Sequence, residues 1–178
     1  SGRQNQNIIT KIDIHVPINI NISGNVKSGD IKISQIKGSI NLMTQSLDAT
    51  LKNISGNIIL KNNGGNIDLE KVNGQIDLSV ISGHVSLSKC DGDITLNIEN
   101  GNNTLSSIKG EINSATTLGE TLVENFVGTK ATFNINVGNL RLSNCNANID
   151  AKIDIGNIKI DKVNGNTNLY TAKGFINI

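Results

Sequence analysis

Residues Gly56–Leu96 read GNIILKNNGGNIDLEKVNGQIDLSVISGHVSLSKCDGDITL, and their glycines recur every nine residues. The repeated glycines are Gly56, Gly65, Gly74, Gly83 and Gly92. Each is followed by a polar residue and then by an apolar residue at the second and fourth positions after it. Internal similarity at a fixed period is typical of stacked repeats, in which each unit buries its apolar face only against its neighbours. The stretch therefore predicts a repeat fold.

The nine-residue spacing continues from Gly29 to the end of the chain, with three departures. Leu47 and Ala147 occupy glycine positions, and the step after Gly128 is ten residues instead of nine. An extra residue in a strand most simply forms a β-bulge or a longer corner. We expect such an irregularity near Thr129.

The position two residues before each glycine shows that the complete repeat has eighteen residues. That position is apolar before every second glycine, at Ile36, Ile54, Val72, Cys90, Ile108, Phe126, Cys145 and Val163. Before the intervening glycines it is mostly polar. The repeat 65–82 is therefore predicted to point Ile67, Leu69, Val72, Ile76, Leu78 and Val80 inward. The next repeat is predicted to point Val85, Leu87, Cys90, Ile94, Leu96 and Ile98 inward.

Two topologies could use this pattern. Asn-Gly steps such as Asn73-Gly74 suit two-residue hairpins and would favour an antiparallel meander. A meander does not require similarity at eighteen residues, whereas a parallel solenoid stacks each turn on the previous one and so forms columns of like side chains. We therefore predict an all-β fold: a single-stranded, right-handed parallel β-helix, or β-solenoid, with about 18 residues per turn in two nine-residue halves.

The segment before the repeats has a different pattern. Between Ile8 and Ile22 every second residue from Ile12 onward is apolar, and Pro17 lies on the opposite face, as in a strand at a sheet edge. We predict one structural domain in two parts. Residues 1–28 form an N-terminal tail and a strand that caps the first turn, and residues 29–178 form the solenoid. The sequence ends partway through a repeat. This predicts a last turn with an uncovered strand edge, which is suited to end-to-end self-association.

Composition argues against several classes of partner. The formal net charge is +1, from 16 Lys and Arg against 15 Asp and Glu, so no electrostatic footprint for nucleic acid is expected. Aromatic residues make up 2% of the chain and tryptophan is absent, which weighs against stacking sites for single-stranded nucleic acid or sugars. No apolar run is long enough to insert into a membrane. The sequence is compatible with a location at the cell surface, in the envelope, in the secreted space or in the cytoplasm.

The two cysteines lie in the apolar column, three turns apart. At about 4.8 Å per turn Cys90 and Cys145 would be roughly 14 Å apart, whereas a disulfide needs Cα atoms within about 7 Å. We predict two buried free thiols that act as small apolar side chains.

No catalytic, cofactor or metal site is predicted. His15 lies in the capping strand, His84 follows a repeat glycine at an outward position, and neither has metal-ligand spacing to another ligand. Residues 64–69 come closest to a calcium-binding nine-residue repeat but lack its third glycine. Aspartates directly after glycine positions are expected to solubilise corners. These aspartates are Asp30, Asp48 and Asp93.

The order of features resembles a known family. An alternating strand ends in HVPINI (residues 15–20), then SGDIKI (residues 28–33) leads into units such as SGNIIL, GGNIDL, NGQIDL and SGHVSL. This order is similar to the bacterial adhesin-like family of β-strand-repeat domains of unknown function. The resemblance implies an extended β-solenoid, often associated with the cell envelope, and it implies no catalytic residues.

Three functional hypotheses follow. The leading hypothesis is a non-enzymatic interaction or scaffold domain at the cell surface or envelope, binding a protein or another envelope partner. The second is a bactofilin-like structural polymer that assembles end to end. The third is a β-helix enzyme that degrades polysaccharide, which would need Asp, Lys or Arg side chains clustered in a groove.

Overall fold

The computed structural model describes residues 18–178, and these form a parallel β-solenoid of about nine turns that contains no helix. One continuous sheet of fourteen strands winds along the chain. Every strand pair within the described range is parallel, as in β2 with β4 or β10 with β11, so the antiparallel alternative is wrong. The predicted fold class, an all-β parallel solenoid, is confirmed.

The strand bounds are β1 Ile22–Lys37, β2 Ile40–Ser55, β3 Ile58–Asn62, β4 Ile67–Asn73, β5 Ile76–Ser82, β6 Val85–Asp91, β7 Ile94–Asn100, β8 Asn103–Lys109, β9 Ile112–Leu118, β10 Thr121–Val137, β11 Leu140–Ile155, β12 Ile158–Asn164, β13 Thr167–Lys173 and β14 Ile176–Asn177. Most turns consist of two strands joined at glycine corners. Where β2 passes Leu47 and β11 passes Ala147, the strand continues through the corner.

The register confirms the eighteen-residue period. Ile67 pairs with Val85, and Val85 pairs with Asn103 in the next turn. All twelve side chains predicted to point inward from the repeats 65–82 and 83–100 are no more than 3% exposed. Burial of aliphatic columns against the turns above and below is the main source of stability in such a stack.

The predicted extra residue is also confirmed. The pairing of β10 with β11 shifts between Val127 and Lys130, so Gly128 and Thr129 together oppose Ala147. Two residues facing one is the definition of a β-bulge. Beyond this bulge the offset between successive turns returns to eighteen residues.

A third bend in each turn was not predicted. One non-glycine residue per turn adopts the left-handed conformation, with φ between 54° and 60°. These residues are Gln35, Asn53, Lys71, Lys89, Ser107, Asn125, Asn144 and Lys162. Each directly precedes a residue of the apolar column, as Lys71 precedes Val72. The bend explains why the inward positions step by three from Leu69 to Val72, whereas a straight strand alternates by two.

The glycine corners stack on one another through the backbone. At Gly83 φ is +148°, and a Cβ placed there would lie 2.0 Å from the carbonyl oxygen of Gly65 in the preceding turn. The same arrangement recurs at most corners, including Gly65, where the carbonyl of Leu47 occupies the equivalent place. Glycine is therefore required because a corner backbone lies directly over the carbonyl below it.

A ladder of side-chain oxygens runs up the outside of both corner columns. Asp48 Oδ1 accepts a hydrogen bond of 2.6 Å from the backbone N–H of Asn66, whose own Oδ1 accepts one of 3.1 Å from the N–H of His84. Asp93 accepts from the N–H of Glu111 in the same way. Asp48 and Asp93 therefore bind the next turn, a role beyond the solubilising one predicted for them.

We expect Asn66→Ala to lower the free energy of unfolding by about 1 kcal/mol, because it removes one net hydrogen bond at an exposed site. Chemical denaturation followed by circular dichroism measures the change. Asn97→Ala, at an exposed asparagine outside the ladder, is the control and should change stability by less than about 0.5 kcal/mol. Equal effects at the two positions would show that the ladder contributes nothing.

The repeat register begins before Gly29. Ile22 in β1 already pairs with Ile40, and the N–H of Lys37 donates a 2.7 Å hydrogen bond to the carbonyl of Ile18. Most of the proposed capping strand, including His15 and Pro17, lies outside the described residues. The division into 1–28 and 29–178 and the right-handed coiling stay predictions.

Candidate functional site

The outer surface consists of columns of side chains that repeat every turn. The column Lys32, Thr50, Asp68, Ser86, Thr104, Leu122, Arg141, Lys159 and Asn177 stacks in register. A second column contains Asn41, Ile59, Asp77, Thr95, Asn113, Thr132, Asp150 and Asn168. Both columns mix charged, polar and apolar residues, so neither presents a uniform array.

Ion pairs on these faces connect successive turns. Lys52 Nζ lies 3.1 Å from Glu70 Oε2, and Lys89 Nζ lies 3.7 Å from Oε1 of the same carboxylate. The hydrogen bond from Lys52 lowers the pKa of Glu70. Lys130 Nζ lies 3.1 Å from Asp150 and likewise lowers the pKa of that carboxyl. Lys89 and Lys130 are exposed, Lys52 and the two carboxylates are partly exposed, and ion pairs in contact with solvent contribute little to stability.

A groove with a volume of about 490 Å³ runs along the solenoid axis. We call it the axial groove. One side is the stacked column Lys61, Ser79, Asn97, Ala115 and Asn134. The other side is formed by residues two positions further along each turn, namely Asn63, Ile81, Glu99, Thr117 and Asn136.

The axial groove owes its shape to side-chain size. Ser79 and Ala115 are short, and the side chains of Val80, Ile98 and Thr116 point into the core, so the strand backbone forms the floor. The five turns are separated by four steps of about 4.8 Å, which gives a length of roughly 19 Å. That length matches about six residues of an extended peptide at about 3.3 Å each.

Neutral hydrogen-bonding groups dominate the axial groove. Four asparagine side chains and the hydroxyls of Ser79 and Thr117 line it, whereas Lys61 and Glu99 are its two charged residues. Amide groups can donate and accept hydrogen bonds at the same time. One turn further on, Lys152 and Asp154 occupy the same two columns and approach to 4.0 Å across them.

An apolar ridge borders the axial groove. Leu118, Val137 and Ile155 stack in three successive turns and are 49%, 41% and 47% exposed. Earlier turns carry polar residues at this position, such as Ser82 and Asn100. The groove and the ridge together present a polar floor beside an apolar edge.

The cysteines occupy the positions predicted for them. Cys90 and Cys145 are both buried and free, and each thiol donates a 3.5 Å hydrogen bond to the carbonyl two residues before it. Burial raises the pKa of both thiols. Their contribution to stability is present below the unfolded value of 9.0 and falls as the pH rises from there toward the folded pKa.

We therefore expect Cys90 and Cys145 to react with a thiol reagent at pH 8 at least about a hundredfold more slowly in the native protein than in denaturant. Spectrophotometric titration with a chromogenic disulfide measures both rates. A Thr104→Cys variant provides an accessible thiol as the positive control. Rapid native labelling of either natural cysteine would contradict the burial of its sulfur.

Other candidate ligands are dispersed. His84 is exposed at its corner, and its contact there is the ladder hydrogen bond from its backbone to Asn66. His15 lies outside the described residues. Among residues 18–178 no three side chains of the His, Cys, Asp and Glu types are close enough together to hold a metal ion.

The part of the chain that the structure describes has no helix of the length and apolarity needed to cross a membrane. Comparison with known proteins found no match among protein-family models, curated proteins or solved structures.

Proposed function

We propose that this protein is a non-enzymatic β-solenoid scaffold of the bacterial cell surface or envelope, and that it binds a protein partner along the axial groove. The observation that carries the proposal is the groove itself, a concave surface that spans five turns of the solenoid. The sequence resemblance to adhesin-like β-strand-repeat domains supports the envelope assignment.

The chemistry of the groove favours an extended peptide segment. Asparagine amides spaced about one turn apart can pair with the N–H and C=O groups of an extended backbone. Leu118, Val137 and Ile155 provide an adjacent apolar edge for side chains of the same segment. A groove with one lysine and one glutamate gives little attraction for a polyanion.

A peptide library displayed on phage tests this proposal. Selection on the purified chain should enrich peptides whose binding is lost with Ala115→Arg, because a long charged side chain would fill the middle of the axial groove. Thr104→Arg is the matched control, since it places the same side chain in a column that already contains Arg141. Failure to enrich any peptide, or equal binding to both variants, would refute a peptide-binding groove.

End-to-end self-association, as in bactofilin-like polymers, is the second candidate function. The last turn exposes Phe175 by 80% and Ile178 by 85%, and β13 and β14 have no strand beyond them within the described residues. A free strand edge can pair with another strand. This edge would accept either further turns of the same chain or a second copy.

Sedimentation and electron microscopy over a range of concentrations test the second candidate. Filaments should form with the unsubstituted chain and be lost with Leu169→Lys, which puts a charge at an inward-facing position of the last turn. Tyr170→Lys, at the neighbouring outward position, should assemble normally. A chain that stays monomeric at every concentration would refute assembly. The polysaccharide-degrading hypothesis stays a prediction.

A further inference from the structure

Four polar side chains lie inside the solenoid, in β8, β9 and the start of β10. Asn103, Ser114, Thr116 and Thr121 are each no more than 2% exposed. Asn103 Nδ2 donates hydrogen bonds of 3.0 Å to Thr116 Oγ1 and 3.2 Å to Thr121 Oγ1. The second bond joins two successive turns, because Asn103 and Thr121 are register partners. We call these four residues the polar layer.

The polar layer interrupts columns that are apolar in the turns directly before and after it. Val85 precedes Asn103 in its column and Leu140 follows Thr121. Leu96 and Phe133 lie on either side of Ser114, and Ile98 and Ile135 lie on either side of Thr116.

Within the described residues, Asn103 Oδ1 and Ser114 Oγ have no hydrogen-bond partner. Burying an unpaired polar atom costs stability, and replacing a buried polar cluster by apolar residues of similar volume is often neutral or stabilising. Apolar residues of similar volume in place of the hydrogen-bonded members of the polar layer are therefore expected to keep or raise stability.

In a solenoid of similar turns, the strands could pair in more than one register. If one turn were looped out, the strands before and after it could still pair in parallel, with aliphatic side chains again facing aliphatic side chains. Corner glycines and exposed asparagines recur at the same positions and would not prevent such a slip. The polar layer does distinguish the registers. If the turn containing Thr121 were looped out, Asn103 would face Leu140 and lose its bond to the next turn.

We propose that the polar layer fixes the register between the N-terminal and C-terminal turns of the solenoid. A single buried polar contact has this role in coiled coils, where it selects one alignment of chemically similar layers. Here it acts between turns of one chain.

Cysteine pairs can report the register. Thr104 and Leu122 are direct partners in successive turns, whereas Thr104 and Arg141 are two turns apart. Two turns correspond to roughly 9.6 Å, beyond the roughly 7 Å that a disulfide allows. In a background of Cys90→Val and Cys145→Val, the pair Thr104→Cys with Leu122→Cys reports the native register. Thr104→Cys with Arg141→Cys reports the slipped one.

The test replaces the three hydrogen-bonded members of the polar layer by the apolar residues of their columns and keeps Ser114, whose small side chain lies beside the buried ring of Phe133. The variant carries Asn103→Val, Thr116→Ile and Thr121→Val, and the full chain is refolded from denaturant before mild oxidation. With the polar layer intact, only the 104–122 pair should crosslink. In the variant, the 104–141 crosslink should rise by about tenfold or more, because the hydrogen bonds that favoured one register are gone. The thermal midpoint should be unchanged or raised.

A variant that keeps only the native crosslink would overturn the proposal. The milder double variant, Asn103→Val with Thr121→Val, removes the bond between turns alone and should also increase the slipped crosslink. If neither variant folds, the polar layer is needed for stability itself and the proposal is wrong. The control Ile67→Val with Val80→Ile changes an all-apolar turn and should not increase the 104–141 crosslink.

Discussion

Gly83→Ala is expected to lower the free energy of unfolding by about 3 to 5 kcal/mol. A left-handed backbone costs a residue with a Cβ about 1 to 2 kcal/mol. At Gly83 the new Cβ would also lie 2.0 Å from the carbonyl oxygen of Gly65, which belongs to the backbone and cannot rotate away. The corner must therefore open, which weakens hydrogen bonds on both sides. Denaturant titration followed by far-ultraviolet circular dichroism measures the loss.

Alanine substitutions at two other glycines separate the backbone strain from the steric clash with the turn below. Gly29 has φ of +113° but open space around its Cβ position, so Gly29→Ala should cost only the conformational strain, about 1 to 2 kcal/mol. At Gly64 a Cβ would meet its nearest atom, the carbonyl oxygen of Gln45, at an ordinary 3.5 Å. Gly64→Ala should therefore change stability by less than about 1 kcal/mol. A Gly83→Ala protein as stable as Gly64→Ala would show that the corners do not stack as closely as described.

Phe133→Ala is expected to have an effect of similar size, about 3 to 5 kcal/mol. Phe133 is fully buried in a column where most turns carry leucine, but its two neighbours are Ser114 and Ala151. The phenyl ring therefore fills space that two small side chains leave open. Truncation to alanine would leave three small residues in succession and a cavity spanning three turns. Denaturant titration again measures the change.

Phe133→Leu and Phe175→Ala are the matched controls. Leucine is the common residue of the column, so Phe133→Leu should cost about 1 to 1.5 kcal/mol. Phe175 is 80% exposed, and its truncation should cost less than about 0.5 kcal/mol. If Phe133→Ala and Phe175→Ala had equal effects, the proposed packing of the large ring between two small neighbours would be wrong.

The periodic part of the structure follows from the sequence because each turn repeats the same physical constraint. The inward set, the parallel pairing, the bulge beside Thr129 and the two buried cysteines could all be predicted from spacing. The left-handed bend at Lys71 and its equivalents was missed. Its signal is the three-residue step between inward positions such as Leu69 and Val72, which a straight strand cannot produce.

Features that depend on side-chain detail could not be predicted in the same way. The Asp48 ladder needs a carboxylate oxygen and the N–H eighteen residues later to lie within hydrogen-bond distance, and spacing alone does not give that distance. The axial groove depends on the heights of Ser79 and Ala115 relative to their neighbours. The polar layer was visible as a polar residue, Asn103, at an inward position, but its partners are defined only by the stack.

The constant offset between paired strands has a consequence for biosynthesis. Each strand pairs with one about eighteen residues away in a chain of 178, which gives a relative contact order of about 0.1, a value typical of fast-folding topologies. Every new turn needs only the turn made just before it. The growing chain can therefore add turns one after another as it emerges during synthesis, with each finished turn serving as the template for the next.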